Sequence, residues 1–387
     1  MLHLLSVKYI SPLILITVIT LILTCYFINA EEGRYKLLWE RELNASVLGV
    51  CWSPDGEKLV VVGNFKEVIV FNRNGEILWR TNVEYPTSAP TISSDGKFLM
   101  IGAGWNLRIY DLAMGKQLYE VKLDHWIYST SWSPNGRYMV VGCSGGYLYL
   151  FNRDDSRVSY VWYKRIAEKY ISSVYFHPSG KWIIAGSDDF NIYFIDLNGN
   201  TLWRTKLNGR IHDIYLSSNG REVIAVTDEG TLYILGAGNG EILMKQEASR
   251  CLIDVIWYGD VVILGDESGY VYFYKLNESN GKKLNEVYKF KASNDQIAVG
   301  YGLSYNPRYN LLAIASHDKH VYVYDVNEVF TIMATTITKI IIKTVTLWKT
   351  TTIEIPGKPS FEAIVISVIL ISTGIVISLL IRRRKIS

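Results

Sequence analysis

A short sequence pattern recurs along this chain at a spacing of about 40 residues, and it limits the possible fold more than any other feature. The copies align on the residue before a tight turn: Trp52, Ile92, Trp132, Phe176, Leu216, Trp257 and Tyr305. The steps between these residues are 40, 40, 44, 40, 41 and 48. In the first five copies the turn reads SPDG, SSDG, SPNG, HPSG or SSNG. Proline presets the backbone of such a turn and glycine relieves crowding at its end.

Each copy contains segments with the character of β-strands. After the turn comes an apolar strand such as KLVVVG, then one that alternates aliphatic and aromatic residues such as VIVFN, then an outer strand such as EILWRTNV. With the strand before the turn, this makes four strands per copy, as in one blade of a β-propeller. A blade can bury its faces only against its neighbours. The sequence therefore predicts an all-β fold, a seven-bladed β-propeller over residues 34–328.

The two ends of the repeat region complement each other. The seventh copy stops after its third strand, at Asp325, and lacks an outer strand. Residues 35–43, YKLLWEREL, precede the first copy and resemble the outer strands, since Leu38-Trp39 matches Leu78-Trp79. We expect this N-terminal strand to complete the last blade, which removes an exposed sheet edge.

These motifs resemble two known families. The SPDG turn and the strand ending in Asp resemble the WD40 β-propellers, while NGEILWR and NGNTLWR resemble the PQQ-type repeat. The resemblance covers about residues 34–328 and implies the propeller architecture, with the LWR tryptophans packing between blades. Third strands end in Asp111, Asp196 and Asp325, but without the preceding Trp of the WD40 family. The hydrogen-bonded tetrad of many WD40 blades is therefore not expected.

Two apolar segments flank the repeats. Residues 10–28 follow Lys8 and end just before Ala30, so residues 1–30 read as a signal peptide or an uncleaved signal anchor. Residues 361–381 are long enough for a transmembrane helix, and the basic tail 382–387 follows. Cations beside a membrane helix stay cytoplasmic. We expect a single-pass protein of the cell membrane, or a two-pass protein if the N-terminal segment is an uncleaved anchor, with the propeller outside and the C-terminus cytoplasmic.

The region between propeller and membrane segment, residues 329–360, is rich in threonine. Its part 331–354 holds nine threonines and no glycine, which is typical of an O-glycosylated stalk and resembles the stalks of archaeal surface proteins. The alternation of Thr with Ile and Val also fits a β-strand. Asn44 and Asn277 stand in Asn-x-Ser sequons in predicted loops, so both are candidate glycosylation sites.

Propeller topology predicts where a binding site lies. The loops from each fourth strand to the next first strand share one face with the loops between second and third strands; we call it the loop face. Exposed aromatic and arginine side chains are favoured at binding surfaces. The candidate residues on this face are Phe65, Tyr85, Trp105, His125, Trp126, Asp188, Asp189, Phe190, Arg210, Arg250, Asp295 and His317.

The residues do not converge on a catalytic set. The charge is nearly balanced, +3 from 40 basic and 37 acidic residues, which gives no electrostatic footprint for nucleic acid. The pairs Asp188-Asp189 and His317…His320 lack further partners in sequence, so no metal or cofactor is predicted. The favoured interpretation is a non-enzymatic, membrane-tethered propeller that binds a protein or glycan partner. The alternatives are a propeller enzyme using the channel mouth (a metal-assisted hydrolase or lyase, or a quinoprotein dehydrogenase) and a structural component of the cell envelope.

Overall fold

The computed structural model describes residues 35–154, 157–248, 251–278, 281–331 and 333, together with 367–368 and 377–378. The chain divides into two compact units, Met1–Thr336 and Ile337–Ser387. The first unit contains seven four-stranded antiparallel sheets. This confirms the predicted all-β, seven-bladed propeller.

The strands follow the chain blade by blade. Strand β1 is Lys36–Glu42. Blade one is β2 (Val47–Trp52), β3 (Lys58–Gly63), β4 (Glu67–Asn72) and β5 (Ile77–Asn82), and blade two is β6 (Thr87–Ile92), β7 (Phe98–Ala103), β8 (Asn106–Asp111) and β9 (Gln117–Lys122). Blade three is β10 (Ile127–Trp132), β11 (Tyr138–Cys143), β12 (Tyr147–Arg153) and β13 (Val158–Arg165), and blade four is β14 (Ile171–Phe176), β15 (Trp182–Ser187), β16 (Asn191–Asp196) and β17 (Thr201–Lys206). Blade five is β18 (Ile211–Leu216), β19 (Glu222–Thr227), β20 (Thr231–Gly236) and β21 (Ile242–Glu247); blade six is β22 (Leu252–Tyr258), β23 (Val261–Asp266), β24 (Tyr270–Asn277) and β25 (Lys283–Lys291); blade seven holds β26 (Leu303–Asn306), β27 (Leu311–Ala315) and β28 (His320–Asp325). A 3-10 turn covers Ser144–Gly146, and residues 327–331 are helical.

The burial of each strand follows its place in the blade. The second strands are apolar throughout because neighbouring blades cover both of their faces; in β3 every residue after Lys58 is buried. The outer strands are mostly exposed, and in β5 only Trp79 and Thr81 are half-buried. The continuous apolar runs and the mixed outer strands of the sequence therefore reflect distance from the axis.

The N-terminal strand closes the ring as expected. Strand β1 pairs antiparallel with β28, from Lys36 opposite Asp325 to Glu42 opposite His320. The last blade therefore takes its fourth strand from the start of the propeller, and Trp39 is buried there with 8% of its surface exposed.

Tryptophans of the outer strands fasten each blade to the next. In four blades the indole N–H donates a hydrogen bond of 2.7 to 2.9 Å to a backbone carbonyl that follows a third strand of the neighbouring blade: Trp39 to Arg73, Trp79 to Leu112, Trp162 to Leu197 and Trp203 to Ala237. Gly115 adopts φ +68° beside Trp79, and a β-carbon there would lie 2.6 Å from the indole ring. The NGEILWR motif thus takes part in two inter-blade contacts: its Gly75 lies beside Trp39 of the last blade, and its Trp79 packs on blade two. The predicted packing role of the LWR tryptophans is confirmed.

The long step before the seventh copy forms a plug in the central channel. Gly300 donates its N–H to the carbonyl of Ile253 in blade six. The Tyr301 hydroxyl accepts a hydrogen bond from the N–H of Thr130 (2.9 Å) and donates one to the carbonyl of Thr130 (3.0 Å) in blade three. Residues 298–302, the channel plug, therefore cross the channel from blade seven.

The packed part of the first unit extends past the predicted boundary at 328. Val329 and Met333 are buried, and Phe330 stacks on Tyr305 at a centroid distance of 5.0 Å. The start of the predicted stalk is thus part of the propeller core, and residues 334–360 lie outside the described residues.

The predicted membrane segments lie almost entirely outside the described residues. This holds for the whole of 1–30, and for 361–381 except at Ser367–Val368 and Ile377–Ser378, which pair as two short antiparallel strands and not as helix. Among the residues that the structure describes, no helix is long and apolar enough to cross a membrane.

Candidate functional site

Three of the predicted aromatic residues form one cluster on the loop face. Tyr85 follows β5, Trp105 lies in the turn between β7 and β8, and Trp126 precedes β10. Their ring centroids are 5.4 Å (Tyr85–Trp105), 4.8 Å (Trp105–Trp126) and 6.4 Å (Tyr85–Trp126) apart, all edge to face. Edge-to-face contacts are favourable for aromatic rings. The cluster is nevertheless open to solvent, with Tyr85 36% and Trp105 37% exposed. We call it the aromatic cluster.

His125 lies beside this cluster but is held by its own neighbours. Its ring stacks on Tyr147 at 3.7 Å, and Nδ1 lies 2.6 Å from the hydroxyl of Tyr149 in a hydrogen bond. Both tyrosines belong to β12. The histidine therefore packs the top of blade three.

The predicted charged residues of blades four and five also come together, in what we call the charged cluster. Arg210 Nε is 2.7 Å from Asp228 Oδ2 and 3.7 Å from Asp188 Oδ1, and Lys169 Nζ is 3.9 Å from Asp188 Oδ2. Burial raises the pKa of Asp228, but hydrogen bonds from Arg210 outweigh it and lower that pKa below its usual value. Asp188 is buried, and its Oδ1 has no hydrogen-bond partner among the described residues. Burial, as the larger cause, and the nearby Asp188 carboxylate, as the smaller, raise the pKa of Tyr170 to about 12.

Asp189 serves a different purpose from its neighbour Asp188. Its carboxylate accepts hydrogen bonds from the N–H of Glu168 (2.8 Å), the hydroxyl of Tyr193 (2.7 Å) and the N–H of Asn191 (3.1 Å). These donors fix the turn between β15 and β16, so Asp188 and Asp189 do not act as a pair of acid and base.

The same network recurs in blade seven and shows what the sequence reading missed. Asp318 accepts from the hydroxyl of Tyr322 (2.7 Å) and the N–H of Asn294 (2.9 Å). Although the Trp-Asp dipeptide is missing, an aspartate–tyrosine bond ties the second turn to the third strand in blades four and seven. The signal was present as Asp-x-x-x-Tyr in both copies.

Phe190 occupies a strained backbone position on the loop face. Its φ is +75°, at the turn position where blade five has Gly230 with φ +71°. A bulky residue in this region costs on the order of 1–3 kcal/mol and persists where other contacts determine it. The ring lies 5.7 Å from the ammonium of Lys169, so the strain places an aromatic ring beside the charged cluster.

The remaining predicted residues stand apart from both clusters. Phe65 is half-buried against blade one, with its ring beside Gly63. Asp295 is exposed and caps the N–H of Gln296, and the N–H of His317 donates to the Gln296 carbonyl. Arg250 lies outside the described residues.

The two sequon asparagines differ in their local structure. Asn44 is exposed in the bend between β1 and β2, as expected. Asn277 is also exposed, but it is the last residue of β24 and pairs with Lys283, so the prediction that it lies in a loop is wrong.

Tyr128 and Tyr170 form a further aromatic pair, between blades three and four, that was missed in the sequence. Their rings stack at 4.6 Å and 25°, and Tyr128 is 39% exposed. Tyr128 occupies the irregular position between Ile127 and Ser129, where β10 shifts register against β11. Several other first strands shift register at the same place. Tyr128 could therefore have been found from this fixed position in each repeat, but the position lies outside the loops that the sequence analysis considered.

A cavity lies in the channel on the other side of the plug. This cavity of about 340 Å³ runs from Gly300 and Tyr301 to the first turns of blades two and three, at Ser94 and Pro134. Two buried aspartates of neighbouring first strands, Asp213 and Asp254, lie at this depth. The sequence reading missed them because each stands inside an apolar strand.

Both carboxyl groups accept hydrogen bonds in the interior. Asp213 accepts from the Ser173 hydroxyl (2.6 Å) and the Val255 N–H (3.1 Å), and Asp254 accepts from the Leu303 N–H (2.8 Å) at the end of the plug. Burial, and then the neighbouring Asp254, raises the pKa of Asp213 well above its usual value; burial raises that of Asp254 to about 7.

The cavity also contains a thiol of low reactivity. Burial raises the pKa of Cys51 to about 12, so this group remains a thiol near neutral pH, and the thiolate is the nucleophilic form. Within the part of the chain that the structure describes, no group of three or more His, Cys, Asp and Glu side chains is arranged to hold a metal ion.

Comparisons with known proteins support the propeller family. The family model described as outer membrane protein assembly factor BamB, a PQQ-type repeat family, matches residues 25–170 and 188–299. The model described as WD domain, G-beta repeat, matches residues 164–196 and 284–325. Both repeat types suggested by the sequence motifs are therefore present, and the first covers more than half of the chain.

Individual relatives are more distant. The chain is 26% identical over 135 residues to a WD repeat-containing protein WDS homolog of Arabidopsis thaliana (34% of this chain and 24% of that protein), and 22% identical over 233 residues to the human U3 small nucleolar RNA-associated protein 4 homolog (57% and 32%). It thus spans at most about a third of either relative. Among solved structures, the β-propeller domain of Myceliophteria thermophila Cps50 (Swd1) superposes with a TM-score of 0.66 at 14% identity, covering 76% of this chain and 99% of that one. That likeness shows the fold.

Proposed function

Because the chain belongs to the PQQ-type repeat β-propeller family described as outer membrane protein assembly factor BamB, we propose that it is a non-enzymatic binding module tethered to the membrane. Its propeller lies outside the cell and binds a macromolecular partner through the loop face. A protein is the first candidate partner, since the family carries the name of an assembly factor; a glycan is the second.

The aromatic cluster is the observation that carries this proposal. Large aromatic rings at a protein surface gain free energy when a partner removes them from water, and tryptophan and tyrosine are enriched among the residues that dominate binding. Here Tyr85, Trp105 and Trp126 share one patch on blades two and three, in which Tyr85 and Trp105 are exposed and Trp126 is half-buried. Their mutual contacts fix the ring orientations before a partner arrives, which lowers the entropy lost on binding.

The charged cluster supplies polar groups on the same face. Arg210 offers a half-exposed guanidinium and Lys169 an exposed ammonium, and the buried Asp188 carboxylate lies 3.7 Å from the first and 3.9 Å from the second. An aromatic anchor beside a few oriented polar groups is the usual composition of a binding surface. The stacked Tyr128 and Tyr170 add an aromatic pair between blades three and four.

The membrane tether is proposed from the sequence. Residues 361–381 would span the bilayer, the basic tail 382–387 would stay cytoplasmic, and residues 1–30 would direct export. Protease added to intact cells should then remove the propeller and leave a C-terminal tag intact. Loss of the tag instead, with the propeller protected, would contradict this orientation.

Capture of partners by the full-length chain tests the binding site. We expect Trp105→Ala/Trp126→Ala to retain at least about tenfold less partner from a membrane extract than the parent, because hot-spot truncation costs roughly 2 kcal/mol or more. The matched control is Tyr160→Ala/Tyr163→Ala, which removes two aromatic side chains, 50% and 55% exposed, from the outer strand of blade three.

The comparison of the two variants decides the outcome. Capture lost only in the loop-face variant supports the proposal, and digestion of the extract with protease or glycosidase then distinguishes a protein from a glycan. Equal capture by the parent and both variants would show that the aromatic cluster does not form the binding site.

A further inference from the structure

The channel cavity is a candidate site separate from the loop face. The plug closes its inner end, where Tyr301 is hydrogen-bonded to Thr130. Its other end is formed by the exposed Ser94 and Pro134 in the first turns of blades two and three. Anything that enters must therefore come from the face opposite the loop face. The volume of about 340 Å³ lies within the range of small-molecule sites, roughly 300–1,000 Å³.

Hydroxyl groups are the characteristic polar feature of the cavity wall. Tyr175 and Tyr215 line it from blades four and five, with ring centroids 5.2 Å apart. Neither hydroxyl has a hydrogen-bond partner among the described residues, and burial raises the pKa of both phenols by removing them from bulk water. Ser131 and Ser304 add two further hydroxyls, each accepting a backbone N–H from a neighbouring blade. A hydroxyl both donates and accepts, so these groups suit a ligand that does the same.

The charges around the cavity disfavour ionic ligands. Its lining contains no lysine, arginine or histidine among the described residues, so an anion would find no counter-charge. The one acidic residue in the lining, Asp254, already accepts the Leu303 N–H and shares its buried surroundings with Asp213. Apolar walls, including Val50, Ile92 and Ile256, complete the site and suit the C–H faces of a sugar ring.

We propose that this cavity binds a small neutral sugar, one hexose ring, held by the hydroxyls of Tyr175 and Tyr215 against the apolar wall. The site is independent of the proposed partner on the loop face. It uses a different end of the channel and different residues.

Calorimetric titration of the full-length chain, in a detergent without a sugar headgroup, tests this proposal. The probes are glucose, mannose and galactose, with gluconate and glucosamine as an anion and a cation of similar size. We expect at least one hexose to bind in the millimolar range, at about −4 kcal/mol, and the charged probes to bind at least about tenfold more weakly because burying an unpaired charge is unfavourable. Tyr175→Phe and Tyr215→Phe should each weaken hexose binding about five- to tenfold, the effect of one lost hydrogen bond.

Two controls separate this site from the loop face. Tyr128→Phe removes a phenol hydroxyl from the loop face and should leave hexose binding unchanged, as should Trp105→Ala/Trp126→Ala. Absence of hexose binding in the millimolar range, equal binding of a charged probe, or insensitivity to both Tyr175→Phe and Tyr215→Phe would each overturn the proposal. None of these results would bear on partner capture by the loop face.

Discussion

At the scale of single residues, the buried carboxyl pair is the most unusual feature of this propeller. Asp213 and Asp254 stand on adjacent first strands, with Tyr175, Tyr215, Tyr301 and Cys51 as their titratable neighbours. Burial keeps a proton on the pair, because a second charge in this interior would lack a counter-ion. Asp254 also holds the end of the channel plug through the Leu303 N–H.

The pair predicts a measurable dependence of stability on pH. Asp254 has a folded-state pKa of about 7, against 3.8 for a free side chain. Between these values the unfolded chain loses the proton and the folded chain keeps it, so the free energy of unfolding contributed by Asp254 falls as pH rises from about 4 to 7, by on the order of 4 kcal/mol. Asp254→Asn removes this loss, and chemical denaturation should show the variant gaining stability relative to the parent over that window.

An exposed carboxylate provides the control for this measurement. Asp295→Asn removes an exposed carboxylate at the loop face and should change the free energy of unfolding by less than about 1 kcal/mol. If Asp254→Asn and the parent changed in parallel between pH 4 and 7, the pair would not hold the proton assigned to it.

Residue roles were only partly predictable from the sequence. Tyr85, Trp105 and Trp126 could be placed together because their loop positions follow directly from the repeat. Asp213 and Asp254 could not, because a lone aspartate in an apolar strand carries no sign of the partner on the next blade. The distinct roles of Asp188 and Asp189 depend on hydrogen bonds across loops, which two neighbouring residues in a sequence do not reveal.

At the scale of structural elements, the outer-strand tryptophans explain why the motif NGEILWR recurs. Each joins its blade to the hairpin of the next by one indole hydrogen bond. Beside Trp39, Trp79 and Trp203, a glycine with a left-handed backbone makes room for the ring. The order of the strands was predictable because the apolar, buried second strands differ in sequence from the mixed, mostly exposed outer strands. The channel plug was not, since the sequence showed only a longer step before Tyr305.

Substitution of Trp79 should separate the two parts of this contact. Trp79→Phe keeps an aromatic ring but leaves the Leu112 carbonyl without its donor, at an expected cost of about 1 kcal/mol. Trp79→Ala also removes the ring from its half-buried site, at an expected cost of about 3 kcal/mol. Urea denaturation measures both, with Trp105→Ala on the loop face as a control expected to change stability by less than about 1 kcal/mol. Equal stability of Trp79→Ala and Trp105→Ala would contradict the inter-blade role.

At the scale of the whole molecule, the ring is closed by pairing its two ends. Strand β1 supplies the fourth strand of the last blade and buries Trp39 against blade one. A closed ring leaves each blade packed on both sides, so its stability should depend on this single strand more than on any other outer strand.

Replacement of residues 34–43 by a glycine–serine segment of equal length tests the closure. The variant loses the pairing with β28 and the contact of Trp39 with Phe71, at 5.5 Å. We expect a substantial decrease in Tm, because an exposed edge and two open blade faces replace a packed interface. Melting at the temperature of the parent would show that the ring does not need this strand.

The central claim is that the loop face of an extracytoplasmic propeller binds a partner, and site-specific photo-crosslinking in intact cells tests it most directly. A photoreactive phenylalanine analogue replaces Trp105 in the aromatic cluster or, as control, Tyr160 on the outer strand of blade three. We expect one discrete crosslinked product from position 105, none from position 160, and loss of the product when Trp126 is also changed to alanine. Equal crosslinking from both positions, or none from position 105, would contradict it.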